Sequence, residues 1–170
     1  RRIVRQWRHG SAQVLVTLVR VEGSSYRRPG AHLLVGTDGE YAGTISGGCL
    51  EAEVVRMAAW IARKGAVVKR YSTLYDDTAE IPFGLGCGGV VDLLFEPVDT
   101  PECQALLAAI EGSLKGTEVV VMTYLPDAGT SLRRTIHVAE DADIAQGAIS
   151  EMTEDGVYRE VIPRPQRLFV

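Results

Sequence analysis

At 170 residues, with 46% hydrophobic and 24% charged residues, the chain has an ordinary globular composition and enough length for one full core, so a single domain is expected. A net charge of −4 and a pI near 5.4 argue against a general nucleic-acid binder, whose basic face usually lifts the pI above about 9. No stretch approaches the ~20 consecutive apolar residues of a bilayer-spanning helix, no leading apolar segment resembles a secretory signal, and three cysteines make no disulfide framework. A soluble protein of the reducing cytoplasm is therefore expected.

From 13 to 21 the apolar residues are nearly continuous and rich in β-branched types, the pattern of a strand buried on both faces. Glu22-Gly23-Ser24-Ser25 breaks it, and Tyr26-Arg27-Arg28-Pro29-Gly30 forms a basic loop closed by a Pro-Gly turn. A hairpin is expected over 31–35 and 40–44, around the Asp38-Gly39 step. It delivers the chain into Gly43-Thr44-Ile45-Ser46-Gly47-Gly48-Cys49-Leu50-Glu51, a glycine-rich turn that opens a helix over about 50–64, with Gly65 as its stop.

A short strand over 67–71 and an acidic loop at 76–80 lead to a second glycine loop, Gly84-Leu85-Gly86-Cys87-Gly88-Gly89. A buried strand follows over 90–96. Asp99-Thr100-Pro101-Glu102 then supplies an N-cap candidate, a first-turn proline and an early acid for a helix over 101–114, whose inner stripe holds Cys103, Leu106, Ala109 and Ile110. Strands are expected over 119–125, 133–138 and 157–162, with a short helix over 141–151. The fold class is α/β, a mixed β-sheet flanked by helices in one compact domain.

Both ends read as cut: the chain starts Arg1-Arg2-Ile3 without methionine and finishes with Pro163-Arg164-Pro165 before Leu168-Phe169-Val170, the beginning of a strand. The domain is expected over 1–162, with 163–170 a linker toward a further domain. An open apolar strand at 168–170 seeks a partner, so a homodimer or an exchanged segment is also expected.

Glycines let a ligand approach peptide N–H groups with no Cβ in the way, which suits a phosphate or a flat heterocycle. Neither loop fits a Walker pattern or the dinucleotide fingerprint. The plainer alternative is two tight turns with cysteine chosen for packing. A thiol at a helix N-terminus has its pKa lowered and becomes a nucleophile, a soft-metal ligand or a persulfide carrier. Glu51 opposes this at Cys49, so that Arg27 or Arg28 is needed to tip the balance, which points to cofactor binding rather than nucleophilic catalysis alone. His9, His32 and His137 are scattered and there is no Cys-x-x-Cys pair, so no zinc site is expected and the histidines read as surface or packing residues. A Cys–His dyad with His32 or His137 lacks any local signature. Cys103, on a helix face, reads as structural.

The segments Gly23–Gly30, Gly43–Glu51 and Gly84–Gly89, in that order and spacing, resemble the successive signatures of the XdhC/CoxI family. The resemblance is strong over about 13–98. It implies an accessory maturation factor, rather than an enzyme, for molybdenum hydroxylases such as xanthine dehydrogenase or carbon monoxide dehydrogenase: a chaperone that binds the molybdenum cofactor transiently, protects it during sulfuration and hands it to the apoenzyme. Many members continue into a Rossmann-like domain, which would begin near Val170. For molybdopterin, the resemblance and the residue chemistry together point to Gly47, Gly48, Glu51, Gly86, Gly88 and Gly89 around the ligand, Arg27 and Arg28 at the phosphate, and Cys49 and Cys87 at the molybdenum or carrying sulfur. Expected partners are the hydroxylase apoenzyme and a cysteine desulfurase, with no nucleic acid or membrane. Two alternatives stay open: a thiol redox enzyme with a reversible Cys49–Cys87 disulfide, and a regulatory protein–protein module that holds no cofactor.

Overall fold

In the computed structural model, which describes residues 1–48, 50–72, 81–82, 89–127, 129–140 and 150–165, the strands divide between two sheets. The first contains β1 (Ala12–Gly23), β2 (His32–Gly36), β3 (Tyr41–Gly43), β4 (Val67–Ser72), β5 (Ile81–Pro82) and β6 (Gly89–Pro97), in the spatial order β3-β2-β1-β6-β4-β5. Its pairings are antiparallel except β4 with β5. The second sheet is antiparallel, with β7 (Val119–Tyr124), β8 (Arg133–Val138), β9 (Glu151–Met152) and β10 (Val157–Ile162) in the order β8-β7-β10-β9. Three helices complete the described elements: α1 (Arg2–Arg8), α2 (Glu51–Ala62) and α3 (Pro101–Leu114).

The double-sided burial expected of β1 is present, and the period-2 geometry of a strand explains what it does. Val14, Val16 and Leu18 point into one core with Leu93, Phe95 and the α2 residues Val54 and Ala58. Leu15 points the other way, into a second core with Leu34, Leu106, Leu107 and Val121. One strand thus separates two apolar layers, which is why its sequence does not alternate.

Helix α3 spans the expected residues. Thr100 caps it, its hydroxyl accepting a hydrogen bond from the Cys103 N–H at 3.4 Å, and Pro101 needs no partner in the first turn. Cys103 is fully buried, and that burial pushes its thiol pKa well up, in keeping with a structural role.

A buried ion pair and a buried histidine–carboxylate hydrogen bond join the two sheets. Arg134 of β8 forms a bidentate pair with Glu96 of β6, at 2.8 and 3.0 Å. The His32 ring bonds Glu160 of β10 at 2.7 Å through Nε2 and Thr17 at 3.0 Å through Nδ1. Burial alone would lower the His32 pKa, but the Glu160 carboxylate, by charge and hydrogen bond, raises it above the ordinary value. His32 is a packing residue, as expected, in a charged setting.

Three features depart from the sequence reading. The strands form two sheets where one was expected, because the polar side chains that join the sheets leave no local periodicity. Helix α1 was not anticipated: among its residues only Val4 is buried, so it has no long apolar stripe. Residue 151 was expected to close a helix and instead begins β9, paired to β10. The rest of that expected helix, the acidic loop at 76–80, most of the second glycine loop and the strand expected at 168–170 lie outside the described residues. Among the described residues no helix is long and apolar enough to cross a membrane.

Candidate functional site

The loop between β3 and α2 is organised by Glu51, the first residue of α2. Although acidic, Glu51 is only 3% exposed, and its carboxylate folds back over the residues that precede it. One oxygen accepts hydrogen bonds from the Thr44 hydroxyl at 2.6 Å, the Ile45 N–H at 3.1 Å and the Ser46 N–H at 2.9 Å. The other accepts from the Ser46 hydroxyl. Ser46 Oγ in turn accepts from the N–H groups of Gly48 and Leu50, at 3.1 and 3.2 Å, so it serves the start of α2 as a cap does. Burial alone would raise the Glu51 pKa, but the Ser46 and Thr44 hydroxyls and the Ser46 N–H hold it down, at about 2.

This bears on the expectation that Glu51 opposes thiolate formation at Cys49. Four neutral donors hold the carboxylate in its charged form within the loop, and both oxygens are engaged in shaping the backbone that leads to Gly48. Cys49 itself lies outside the described residues, as do Gly86, Cys87 and Gly88.

The described parts of all three motifs meet at the loop that starts with Ser24. On one side, a Cβ at Gly47 would stand 3.0 Å from the Tyr26 ring, so a side chain there would push the exposed ring back from the first glycine loop by a few tenths of an ångström. On the other side, Gly89 is the register partner of Gly23, and a Cβ there would stand 2.1 Å from the Ser24 carbonyl oxygen. No side chain fits in that space. The end of the second glycine loop is thereby locked against the opening of the Gly23–Gly30 segment, while the first glycine loop packs against its middle.

A cleft of about 760 Å³ opens at the first glycine loop; Ser24, Tyr26 and Gly89 are not part of its lining. Arg27, Gly47, Gly48 and Glu51 line it, as do Thr44 and Ser46 from the same loop and Arg2, Glu40 and Tyr41 from α1 and the β2–β3 hairpin. Of the residues singled out from sequence, the structure therefore brings Arg27, Gly47, Gly48 and Glu51 together, while Gly89 packs on Ser24 outside the cleft lining. Arg28 is exposed and does not line the cleft. Thr44 and Ser46, hydroxyls spaced before an acid in the second motif, were not singled out from sequence, and Arg2 carried no sequence signal.

The arrangement suits an anionic, partly planar ligand. It offers peptide groups unobstructed by side chains, a guanidinium from Arg27, and an opening large enough for a small cofactor, since ligand clefts commonly run to about 300–1,000 Å³.

Residues 6–72 match the model of the XdhC and CoxI family. Among curated proteins, the chain is 33% identical over 119 residues to the molybdenum cofactor insertion chaperone PaoD of Escherichia coli, an alignment that covers 70% of this chain and 36% of that protein. It is 35% identical over 86 residues to a probable xanthine dehydrogenase subunit of Bacillus subtilis, covering 50% of this chain and 26% of the relative. A solved structure described as a xanthine dehydrogenase from Bacillus halodurans superposes with a TM-score of 0.72 at 25% identity, over 98% of this chain and 53% of that one. The chain thus spans about a quarter to a third of the curated relatives it matches.

Proposed function

Residues 6–72 place this chain in the XdhC and CoxI family, and from that premise we propose that it is a molybdenum cofactor chaperone. It binds the cofactor transiently, shields it while the terminal sulfur is installed, and delivers it to the apoenzyme of a molybdenum hydroxylase of the xanthine dehydrogenase or carbon monoxide dehydrogenase type. The relatives named as a cofactor insertion chaperone and as part of a xanthine dehydrogenase support a role in molybdenum enzyme maturation.

The observation that carries this reading is the cleft lined by Arg27 of the first motif and Gly47, Gly48 and Glu51 of the second, with Gly47 packed on Tyr26 and Gly89 of the third motif packed on Ser24. When bound, the cofactor contributes a phosphate, a flat pterin and a dithiolene-held metal. Arg27 answers the phosphate, the peptide groups at Gly47 and Gly48 answer the heterocycle, and Cys49 and Cys87 supply soft thiolates for the metal end or for carrying sulfur. Gly86, Gly88 and Gly89 of the second glycine loop contribute further peptide N–H groups to the ligand. Sulfur comes from a cysteine desulfurase docked to the chaperone, which works as a homodimer in the cytoplasm.

Titration of isolated molybdenum cofactor onto the chain and its Cys49→Ala and Cys87→Ala forms tests this. Each substitution is expected to weaken binding by more than about tenfold, the scale on which loss of a metal-site group acts. Unchanged affinity together with unchanged transfer to the apoenzyme would remove both thiols from the mechanism.

A further inference from the structure

Arg2 belongs to none of the three motifs, yet it lines the same cleft as Arg27. We propose that Arg2 and Arg27 together form the seat for a phosphate monoester, and that Arg28 takes no part in it. The inference deepens the cofactor-binding reading above and rests on it for the identity of the ligand that carries the phosphate.

Arg2 is held in place by the helix that bears it. Val4 is buried and Trp7 packs against the second core. Ile3 Cδ1 lies 3.2 Å from the point where a Gly43 Cβ would stand. The Gln6 side chain donates to the Glu40 carbonyl at 3.0 Å, and Arg8 pairs with Glu111 of α3. Helix α1 is thus fixed along its length to β3 and α3, and Arg2 is a feature of the cleft rim.

The two arginines supply the positive charge at this rim. Among the described residues neither Arg2 nor Arg27 has an ion-pair partner. Two carboxylates, Glu40 and Glu51, line the same opening; Glu51 keeps its charge, but its oxygens are turned onto Thr44, Ile45 and Ser46 within the loop. An adjoining groove shares Arg2, Glu40 and Tyr41 and adds Arg5 and His9, so the basic face of α1 extends the positive rim. Two guanidinium-bearing residues lining one opening suit a dianionic phosphate, because each offers planar paired N–H donors as well as charge. Arg28 lies outside the cleft lining.

The test titrates inorganic phosphate and, separately, molybdopterin onto the chain and its Arg2→Ala, Arg27→Ala, Arg28→Ala and Arg2→Lys forms. Phosphate binding is expected to weaken about tenfold in Arg2→Ala and in Arg27→Ala, the scale of one lost charge-assisted hydrogen bond, and to be preserved in Arg28→Ala. Arg2→Lys, which keeps the charge and loses the fork, is expected to fall between. Phosphate binding that survives Arg2→Ala, that is lost in Arg28→Ala, or that is absent from the unaltered chain overturns the proposal. Molybdopterin that binds Arg2→Ala and Arg27→Ala as tightly as the unaltered chain overturns the seat while leaving the chaperone reading intact. Phosphate bound as expected by a chain that takes up no molybdopterin upholds the seat and overturns the chaperone reading.

Discussion

Replacing Arg134 with alanine is expected to cost about 3–5 kcal/mol of unfolding free energy, the range for breaking a buried ion pair from one side. The side chains of Arg134 and Glu96 are 2% and 0% exposed. The guanidinium also donates from Nε to the Thr123 hydroxyl at 3.0 Å and from Nη1 to the Glu102 carbonyl at 2.7 Å. One side chain therefore ties β8 to β6, β7 and the first turn of α3. Without it, the Glu96 carboxylate is left charged in an apolar layer, and desolvation rather than the lost attraction dominates the cost. The double variant Arg134→Met/Glu96→Leu removes both charges and is expected to lose less than either Arg134→Met or Glu96→Leu alone. Urea unfolding of the four forms measures this, and additive losses would show that the pair is not coupled.

Glu51→Ala is expected to destabilise the chain by about 3 kcal/mol, because the N–H groups of Ile45 and Ser46 and two hydroxyls lose their shared acceptor and each unsatisfied buried group costs about 1–3 kcal/mol. The pH dependence has a definite sign. The folded-state pKa of Glu51 is depressed from the ordinary 4.5 to about 2, so its contribution is fully present above about pH 4.5 and is lost as the pH falls toward 2. That depression is equivalent to roughly 3 kcal/mol at 1.36 kcal/mol per pKa unit. Glu51→Gln, which keeps one acceptor oxygen and cannot ionise, is expected to lose about half as much as alanine near neutrality. Its stability should fall less steeply than that of the unaltered chain between pH 4.5 and 2. Chemical denaturation across that window checks both, and parallel acid profiles for the Gln variant and the unaltered chain would sink the assignment.

The two predictions mark the line between what sequence carries and what it does not. Strand β1 and helix α3 were legible because each signal is local: an unbroken β-branched run for β1, a Thr-Pro start and a helical stripe for α3. The first glycine loop and Arg27 stood out in the sequence as residues stripped of side chains near a charge, and the structure sets both at one cleft. Glu51 was read correctly as an early acid of α2, but the direction of its carboxylate depends on how the loop from Thr44 to Gly48 closes, and no spacing rule encodes that. Arg134 with Glu96, and His32 with Glu160, are separated by 38 and 128 positions. Pairings at that range exist only once the two sheets are stacked, so the second sheet read as a continuation of the first. Arg2 failed to register for the same reason, since its importance comes from where α1 docks.

The central claim, that the three motifs build one molybdenum cofactor site, is tested most directly by the molybdenum and pterin content of the chain purified after co-expression with the cofactor biosynthesis machinery. Near-stoichiometric molybdenum and pterin are expected in the unaltered chain, and a pronounced loss in a Cys49→Ala/Cys87→Ala form that remains folded. A chain that purifies free of both, or that carries the same amount with and without the two thiols, would contradict it.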